Sequence, residues 1–569
     1  MTHPPRNRDA WRWPAAVLLV LRFGIAAADP AESGDSPGQE ALTAAIEAKL
    51  DADDLDDFEA VLNGCRVAID KGLDADSRKF AEELYTSTLV DRAAALSGAI
   101  FDAPRPSPQW RRIRSLALKD LEEVVSRAPG VGTAHLLIAR LQALPDGDRD
   151  QAAASARKAI ELLDDDRLRA AQATLVLAEL EDDPQRRATL FDEAVELAPR
   201  DADVRRTRGM AHLVADRFEA AREDLAVAAE EEPDDASLQE ALGMACLMAD
   251  RLDDARAAFD RAIEIDPEAA GPLLQRARVF ALGGDGERAL ADVDRVLDLV
   301  PGDPMALVLR ARIHQQAGDV DAALADLDEV LGEKPDMAAA LELRGLIAAE
   351  REDYALAIRD FRRLVGRNPD DPLLLGQLGL FFLAAKQPAE AIKRFTLALD
   401  IDEDDFLSRR GRGDAALSLG DHQSALGDLE KAVALKPDDP SVLNNLAWLL
   451  ATSPDENIRD GKRAVELALK ACEVTKWEQS HIISTLAAGH AERGDFEAAR
   501  KFSRQAVEVG HDEPEVRQQL ESELASYEAG RPWRERQSQG EEARAQDEKS
   551  PANDSQEASR SPRRPFEEE

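Results

Sequence analysis

The sequence has little of the material from which metal centres, disulfide frameworks and aromatic cores are built. Its 569 residues include three cysteines, and aromatic side chains make up 4% of the composition. Cys65, Cys246 and Cys472 lie far apart and form no C-x-x-C pair, which excludes a zinc knuckle and a thioredoxin-type site. We expect Cys246 to be a small buried side chain. The hydrophobic residues are mostly alanine and leucine, which favours thin seams between helices over a thick globular core.

Signatures of catalysis are also missing. The sequence has no G-x-x-x-x-G-K-[ST] loop, no H-E-x-x-H, no G-x-S-x-G and no kinase motifs. The acidic run 51–57 fails the calcium-loop rule, because Leu55 occupies its fifth position and no glycine follows. We interpret this run as a helix start, and His212, His314 and His490 as partly buried rings. The sequence therefore predicts no catalytic residue, no cofactor and no metal site.

The charge of the chain is strongly negative. Aspartate and glutamate number 113 against 72 lysines and arginines, which gives a formal net charge of −41. A surface of this sign repels polyanions. Nucleic acid and anionic membrane surfaces are therefore not expected as partners.

The first residues have the composition of an export signal. Several arginines precede an apolar stretch at 13–21, and a run of three alanines ends at Ala28. Arg22 interrupts the apolar run, and the whole stretch is shorter than the roughly 20 residues of a membrane span. We expect residues 1–28 to be a signal peptide, with no integral membrane span after cleavage and a periplasmic or cell-envelope location. The alternative is an unstructured leader of a cytoplasmic protein.

A period of 34 residues organises the middle of the chain. Prolines recur at this spacing from Pro199 to Pro369, and the series continues, with one substitution, to Pro437. Alanine stands twelve residues before each of these positions from Pro233 to Pro437, as Ala221 to Ala425, and a large apolar residue follows four residues later. Such spacings place the side chains on one face of a helix. An undrifting period of this length is typical of a chain of identical supersecondary units.

Glycine and helix-capping residues divide each period into two helices. Glycine recurs twenty-four residues before the proline position, as Gly209, Gly243, Gly345, Gly379 and Gly413. Glycine inside a helix costs about 1 kcal/mol relative to alanine, so its recurrence indicates a close helix crossing. Asp-Pro pairs are typical of helix starts, and Gly-Asp pairs of a break between two helices. The pattern predicts two antiparallel helices in each period.

With Ala202 as position 1, the repeat has glycine at position 8, alanine at 20, an aromatic residue or leucine at 24, alanine at 27 and proline at 32. This pattern resembles the tetratricopeptide repeat family over about ten units, residues 168–513. The resemblance implies an all-α, right-handed superhelical solenoid of antiparallel helix pairs. Together with the N-terminal export signal, it indicates a bacterial protein of the exported type. It also implies protein binding, without indicating the partner.

The remaining segments are assigned from composition and periodicity. The predicted organisation is a signal peptide at 1–28, a linker at 29–39, an N-terminal helical region of degenerate or capping repeats at 40–129, a diverged repeat at 130–167, the repeat array at 168–513, a capping helix at 514–529 and a disordered charged tail at 530–569. A separate small helical domain is the alternative for 40–129. Tyr527 and Trp533 are expected to fold back on the capping helix.

In the family that the chain resembles, the first helix of each unit lines a concave groove through positions 2, 5, 9, 12 and 13. The candidate partner-binding residues at these positions are Arg206, Arg278, Arg312, Gln315, Arg410, Asp414, Asn444 and Trp448. Arg278 and Arg312 occupy equivalent places in adjacent repeats, so we expect a basic spot suited to a carboxylate. The alternative is that each pairs with a nearby carboxylate. For Trp448, an anchor for a partner and a core residue are both open.

The family's lysine–asparagine clamp for a C-terminal carboxylate is not expected, because no lysine stands at these positions. We therefore expect a non-catalytic protein–protein interaction scaffold that binds a peptide or helix of a partner in the groove. The alternative is a regulatory or substrate-recruiting subunit of a separately encoded envelope enzyme complex. Partner identity and oligomeric state are open.

Overall fold

The computed structural model describes residues 36–101, 108–510 and 514–535. Within these ranges the chain forms 27 α-helices and no strand, so the all-α prediction is confirmed. The predicted signal peptide and most of the predicted charged tail lie outside the described residues. The chain divides into two compact units, Met1–Val279 and Phe280–Glu569.

The first unit is built from helix pairs joined by short turns. Its helices are α1 (Pro37–Asp51), α2 (Leu55–Lys71), α3 (Ala75–Phe101), α4 (Trp110–Arg127), α5 (Gly132–Ala143), α6 (Arg149–Leu162), α7 (Arg167–Leu180), α8 (Pro184–Leu197), α9 (Ala202–Val214), α10 (Phe218–Glu231), α11 (Ala236–Met248) and α12 (Leu252–Ile265). The next helix, α13 (Ala270–Leu282), crosses the boundary between the units. From α1 to α12, successive helices pack as antiparallel pairs and each pair packs against the next.

The second unit continues the same arrangement. Its helices are α14 (Gly286–Leu299), α15 (Pro304–Ala317), α16 (Val320–Glu333), α17 (Ala338–Glu350), α18 (Tyr354–Arg367), α19 (Pro372–Ala384), α20 (Pro388–Ile401), α21 (Phe406–Ser418), α22 (His422–Leu435), α23 (Pro440–Thr452), α24 (Gly461–Val474), α25 (Ser480–Glu492), α26 (Phe496–Val509) and α27 (Pro514–Glu528). No helix in the described part of the chain is both long and apolar enough to cross a membrane.

The helix ends follow from the capping residues. Asp303 accepts a hydrogen bond from the backbone N–H of Ala306 at 2.8 Å, and Pro304 occupies the first helical position of α15. Gly318 ends the same helix in the left-handed conformation, with φ +81°. In the acidic run near the N-terminus, Asp54 caps α2, which agrees with its interpretation as a helix start.

The repeated glycines lie where the second helix of a pair crosses the first. A Cβ atom added to Gly345 would stand 2.8 Å from the ring of Phe361, and one added to Gly413 would stand 3.0 Å from the side chain of Leu429. Glycine at position 8 thus faces the large residue at position 24, and the predicted close crossing is confirmed. The alanines at position 20, such as Ala255, are fully buried in the same seam.

A repeated arginine–aspartate pair, which the sequence analysis missed, links the helices as well. The arginine at position 7 binds the aspartate at position 23 through two hydrogen bonds in the pairs Arg208–Asp224, Arg310–Asp326, Arg344–Asp360 and Arg412–Asp428. Three of these arginines also pair with an aspartate of the preceding repeat: Arg208–Asp192, Arg310–Asp294 and Arg344–Asp328. Each such arginine therefore connects three helices.

The capping helix α27 is firmly anchored in the second unit. Tyr527 is fully buried, and Leu520 is 3% exposed. The buried carboxylate of Glu523 accepts hydrogen bonds from Ser484 and Gln519. Burial raises the pKa of Glu523 above its usual value. The face of α27 that meets the last repeat is therefore part of the core.

Candidate partner-binding surface

We call the side chains at positions 2, 5, 9, 12 and 13 of the first helices the predicted groove face. First helices of successive repeats contact each other within each unit, as α9 does with α11 and α23 with α25. Positions 5, 9 and 12 or 13 lie on one side of a helix. Within each unit, equivalent positions of neighbouring repeats therefore form adjacent columns of side chains.

In the first unit this face carries exposed apolar side chains. Met210 is 44% exposed, Val214 is 86% exposed and Met248 is 51% exposed, while Met244 is half-buried. These residues stand at positions 9 and 13 of α9 and α11. Methionine adapts its shape to different apolar surfaces because its side chain is unbranched and flexible. The two helices thus present an adaptable apolar strip to their surroundings.

Charged residues flank this strip. Arg206 pairs with both Glu232 and Asp235, so its charge is already compensated within the repeat. Glu240 forms no hydrogen bond or ion pair with any residue that the structure describes. Partial burial of its carboxylate raises the pKa of Glu240. The strip therefore lies beside one compensated cation and one uncompensated carboxylate.

Arg278 in the first unit and Arg312 in the second are both exposed. Arg278 donates to the side-chain oxygen of Gln275 at 3.2 Å. Neither guanidinium forms an ion pair with a carboxylate in the described ranges, in contrast to the arginines two residues earlier, Arg276 and Arg310. That the two exposed guanidinium groups lie near each other stays a prediction.

Three further candidates in the second unit each contact a neighbouring side chain. Gln315 lies 3.4 Å from a carboxylate oxygen of Glu350, and the Arg410 guanidinium lies over the ring of Phe406 at 5.9 Å. Asp414 accepts a hydrogen bond from the Asn445 amide at 2.8 Å. Burial raises the pKa of Asp414, although Asn445 and Arg410 both favour its ionised form. These side chains remain accessible to a ligand in part only.

The last two candidates lie in α23, the first helix of the ninth repeat counted from residue 168. Asn444 is 9% exposed, and its side-chain oxygen is buried without a hydrogen-bond partner. Trp448 is half-buried against the core cluster of the last repeats. The backbone N–H of Glu535, in the segment that follows α27, donates to the carbonyl of Thr452 at the end of the same helix, at 3.1 Å. The chain's own C-terminal segment therefore covers this part of the predicted groove face.

The thiols and imidazoles do not assemble a site. Cys65, Cys246 and Cys472 are free and buried, and burial raises the pKa of Cys65 and of Cys246 to about 11. Burial likewise lowers the pKa of His212 and of His490, although a nearby aspartate opposes this shift in each case. In the described ranges, no group of three or more His, Cys, Asp or Glu side chains is placed to hold a metal ion.

Within each unit, helix pairs follow one another along the chain and pack against their neighbours, which defines an α-helical solenoid. The model of the tetratricopeptide repeat family matches residues 206–270, 308–372, 344–406, 377–440 and 410–471. Over these residues the chain consists of tetratricopeptide repeats. Its architecture is that of a protein–protein interaction scaffold.

Several solved structures are similar. A tetratricopeptide repeat protein from Parabacteroides merdae aligns with 43% of this chain and 96% of its own, at 20% identity and a TM-score of 0.33. YrrB, a TPR protein with an unusual peptide-binding site, aligns with 33% of this chain and 97% of its own, at 23% identity and a TM-score of 0.31. A chain of the APC/C hetero-tetramer Cut9–Hcn1 aligns with 76% of this chain and 99% of its own, at 14% identity and a TM-score of 0.35. A comparison with curated proteins gave no match.

Proposed function

We propose that the chain is a non-catalytic scaffold that binds a peptide or helical segment of a partner protein on the predicted groove face. One observation carries the proposal, and it is the contrast between two arginines of α15. Arg310 is held by Asp326 and Asp294, whereas Arg312, two residues later, is exposed and has no ion pair with a described residue. A guanidinium without an internal partner is available to a carboxylate of another protein.

The exposed apolar strip of the first unit supports the same proposal. Met210, Val214 and Met248 stand on the side of α9 and α11 that the repeat leaves uncovered. Contiguous exposed apolar side chains mark interaction sites on soluble proteins. Helices that bind in grooves use an apolar face, and methionines suit such contacts. The proposed ligand therefore carries apolar side chains together with at least one carboxylate.

Reversing the charge of Arg312 tests this proposal. The variant Arg312→Glu is expected to capture at least about tenfold less of the partner from cells of the native organism, because arginines that anchor interfaces contribute about 2 kcal/mol or more. Quantitative mass spectrometry after crosslinking measures the captured partner. The thermal unfolding of the Arg312→Glu variant should match that of the unmodified chain, since Arg312 is exposed and forms no ion pair with a described residue.

Lys334→Glu is the matched control, because it makes the same charge change at an exposed turn outside the predicted groove face. It is expected to capture the partner normally. Met210→Glu should reduce capture as Arg312→Glu does, since it places a charge in the apolar strip. Normal capture by both Arg312→Glu and Met210→Glu would contradict binding on this face.

We also propose that the chain is exported and acts in the periplasm or cell envelope. The proposal rests on the basic start, the apolar stretch and the alanine run of residues 1–28. The mature protein isolated from an envelope fraction should begin at Asp29. Recovery of the chain from the cytoplasmic fraction with residues 1–28 attached would refute export.

A further inference from the structure

The segment after α27 runs back over the last repeats. Gly530 adopts the left-handed conformation, with φ +68°, and the backbone N–H of Arg531 donates to the carbonyl of Ser526 at 3.0 Å. This arrangement ends the helix and reverses the chain direction. Four residues later, the backbone N–H of Glu535 donates to the carbonyl of Thr452 at 3.1 Å. The reversed segment thereby reaches the end of α23.

Three consecutive side chains of this segment bind the repeats. Trp533 packs against the core cluster of the last repeats. Arg534 donates to the carbonyl of Ala451 at 3.3 Å and forms an ion pair with Glu492. The carboxylate of Glu535 lies beside the imidazole of His422, with Oε2 3.8 Å from Nε2. An aromatic ring, a guanidinium and a carboxylate are therefore each recognised by a different group.

Three of the recognising groups belong to the predicted groove face. Ala451 and Thr452, whose carbonyls accept from Arg534 and Glu535, stand at positions 12 and 13 of the ninth repeat, and Glu492 stands at position 13 of the tenth. Their helices, α23 and α25, contact each other within the second unit. The segment thus lies across adjacent columns of the face, as an extended ligand would.

The segment is held less firmly than the helix that precedes it. Residues 532–535 are half-buried, whereas Tyr527 in α27 is fully buried. One oxygen of Glu535 and Nε2 of His422 are buried without hydrogen-bond partners, 3.8 Å apart. Buried polar atoms without partners weaken a contact. Gly530 stands between the two parts, so the contacts of the segment are separate from those that anchor α27.

We propose that this surface is a binding site for an extended segment with consecutive aromatic, arginine and glutamate side chains, and that residues 533–535 occupy it in cis. An outside segment of this chemistry binds only by displacing the chain's own. The inference rests on the proposed function, since it places a ligand on the predicted groove face. Beyond that function, it specifies which side chains of a ligand the last two repeats recognise. It also adds that residues 533–535 of the chain itself compete for the site.

A labelled peptide tests the site directly. The probe is a fluorescent peptide of residues 529–535 with an amidated end, titrated against the intact chain and against a chain that ends at Gly530. A tethered segment acts at an effective concentration in the millimolar range. The shortened chain should therefore bind the peptide about 10–100-fold more tightly than the intact chain. A peptide with both Arg534→Ala and Glu535→Ala should bind the shortened chain at least about tenfold more weakly than the unmodified peptide.

Two further measurements keep the test decisive. Hydrogen exchange shows whether the shortened chain keeps its last helices folded. If it does not, the intact chain with Arg534→Ala and Glu535→Ala takes its place and should bind the unmodified peptide more tightly than the parent chain. Equal affinity of the open and intact forms, or equal affinity for both peptides, would overturn the inference. None of these measurements involves Arg312 or its partner, so this inference and the proposed function can fail separately.

Discussion

Replacing Arg344 by methionine is expected to lower the free energy of unfolding of its repeat by about 3–5 kcal/mol. Arg344 donates to the two carboxylate oxygens of Asp360 at 2.7 Å and 2.8 Å, and the Asp360 side chain is 0% exposed. Without the guanidinium, the ion-pair partner that this carboxylate keeps among the described residues is Arg359, at 3.5 Å. The loss arises mainly because a buried charge is left without adequate hydrogen bonds. Hydrogen exchange of α17 and α18 measures it locally.

The chain itself supplies the control for this prediction. Three repeats earlier, the equivalent positions hold Leu242 and Ala258, around the same glycine and phenylalanine. The double variant Arg344→Leu with Asp360→Ala copies that arrangement and removes both charges. It should recover most of the stability that Arg344→Met loses, since an apolar replacement of a buried ion pair is often neutral. A double variant as unstable as the single one would show that the pair does more than compensate charge.

Much of this fold could be predicted because its period is local. Helix faces, caps and the contact between position 8 and position 24 follow from spacings within one repeat, and the Gly345–Phe361 contact is an example. The buried arginine–aspartate pairs also have a pattern in the sequence. Within the regular repeats at 202–439, arginine at position 7 and aspartate at position 23 are both replaced in two repeats, by Leu242 with Ala258 and by Leu378 with Arg394. The pairs were missed because sixteen residues and a turn separate the partners, so no single helix face contains both.

The repeats alone do not predict that the segment after α27 covers the end of α23. Glu535 donates to the carbonyl of Thr452 from 83 residues further along the chain, in a segment with no helical period. Sequence spacing predicts which side of a helix a residue occupies. It does not predict what a later, irregular segment places on that side. Which part of the predicted groove face is accessible therefore follows only from the structure.

Replacing Gly379 by alanine is expected to destabilise the chain by about 1–3 kcal/mol, although alanine is the better helix former. The added Cβ atom would stand 2.6 Å from the ring of Phe395. That ring is fully buried and also lies against Gly411 of the next repeat, so it has no free side toward which to move. Overpacking at this crossing separates α19 from α20 and loosens the seam with α21. Urea unfolding measures the loss.

Gly427→Ala is the matched control for overpacking. Gly427 lies inside α22 with no atom within 4 Å of its added Cβ, so alanine there should stabilise the chain by about 0.5–1 kcal/mol. Combining Gly379→Ala with Phe395→Leu should cause less loss than the sum of the two single changes, because a smaller side chain makes room for the methyl group. A stabilising Gly379→Ala, or strict additivity with Phe395→Leu, would mean that close approach at position 8 does not determine how tightly the helices pair. In that case the recurrence of glycine would need another cause than the ring at position 24.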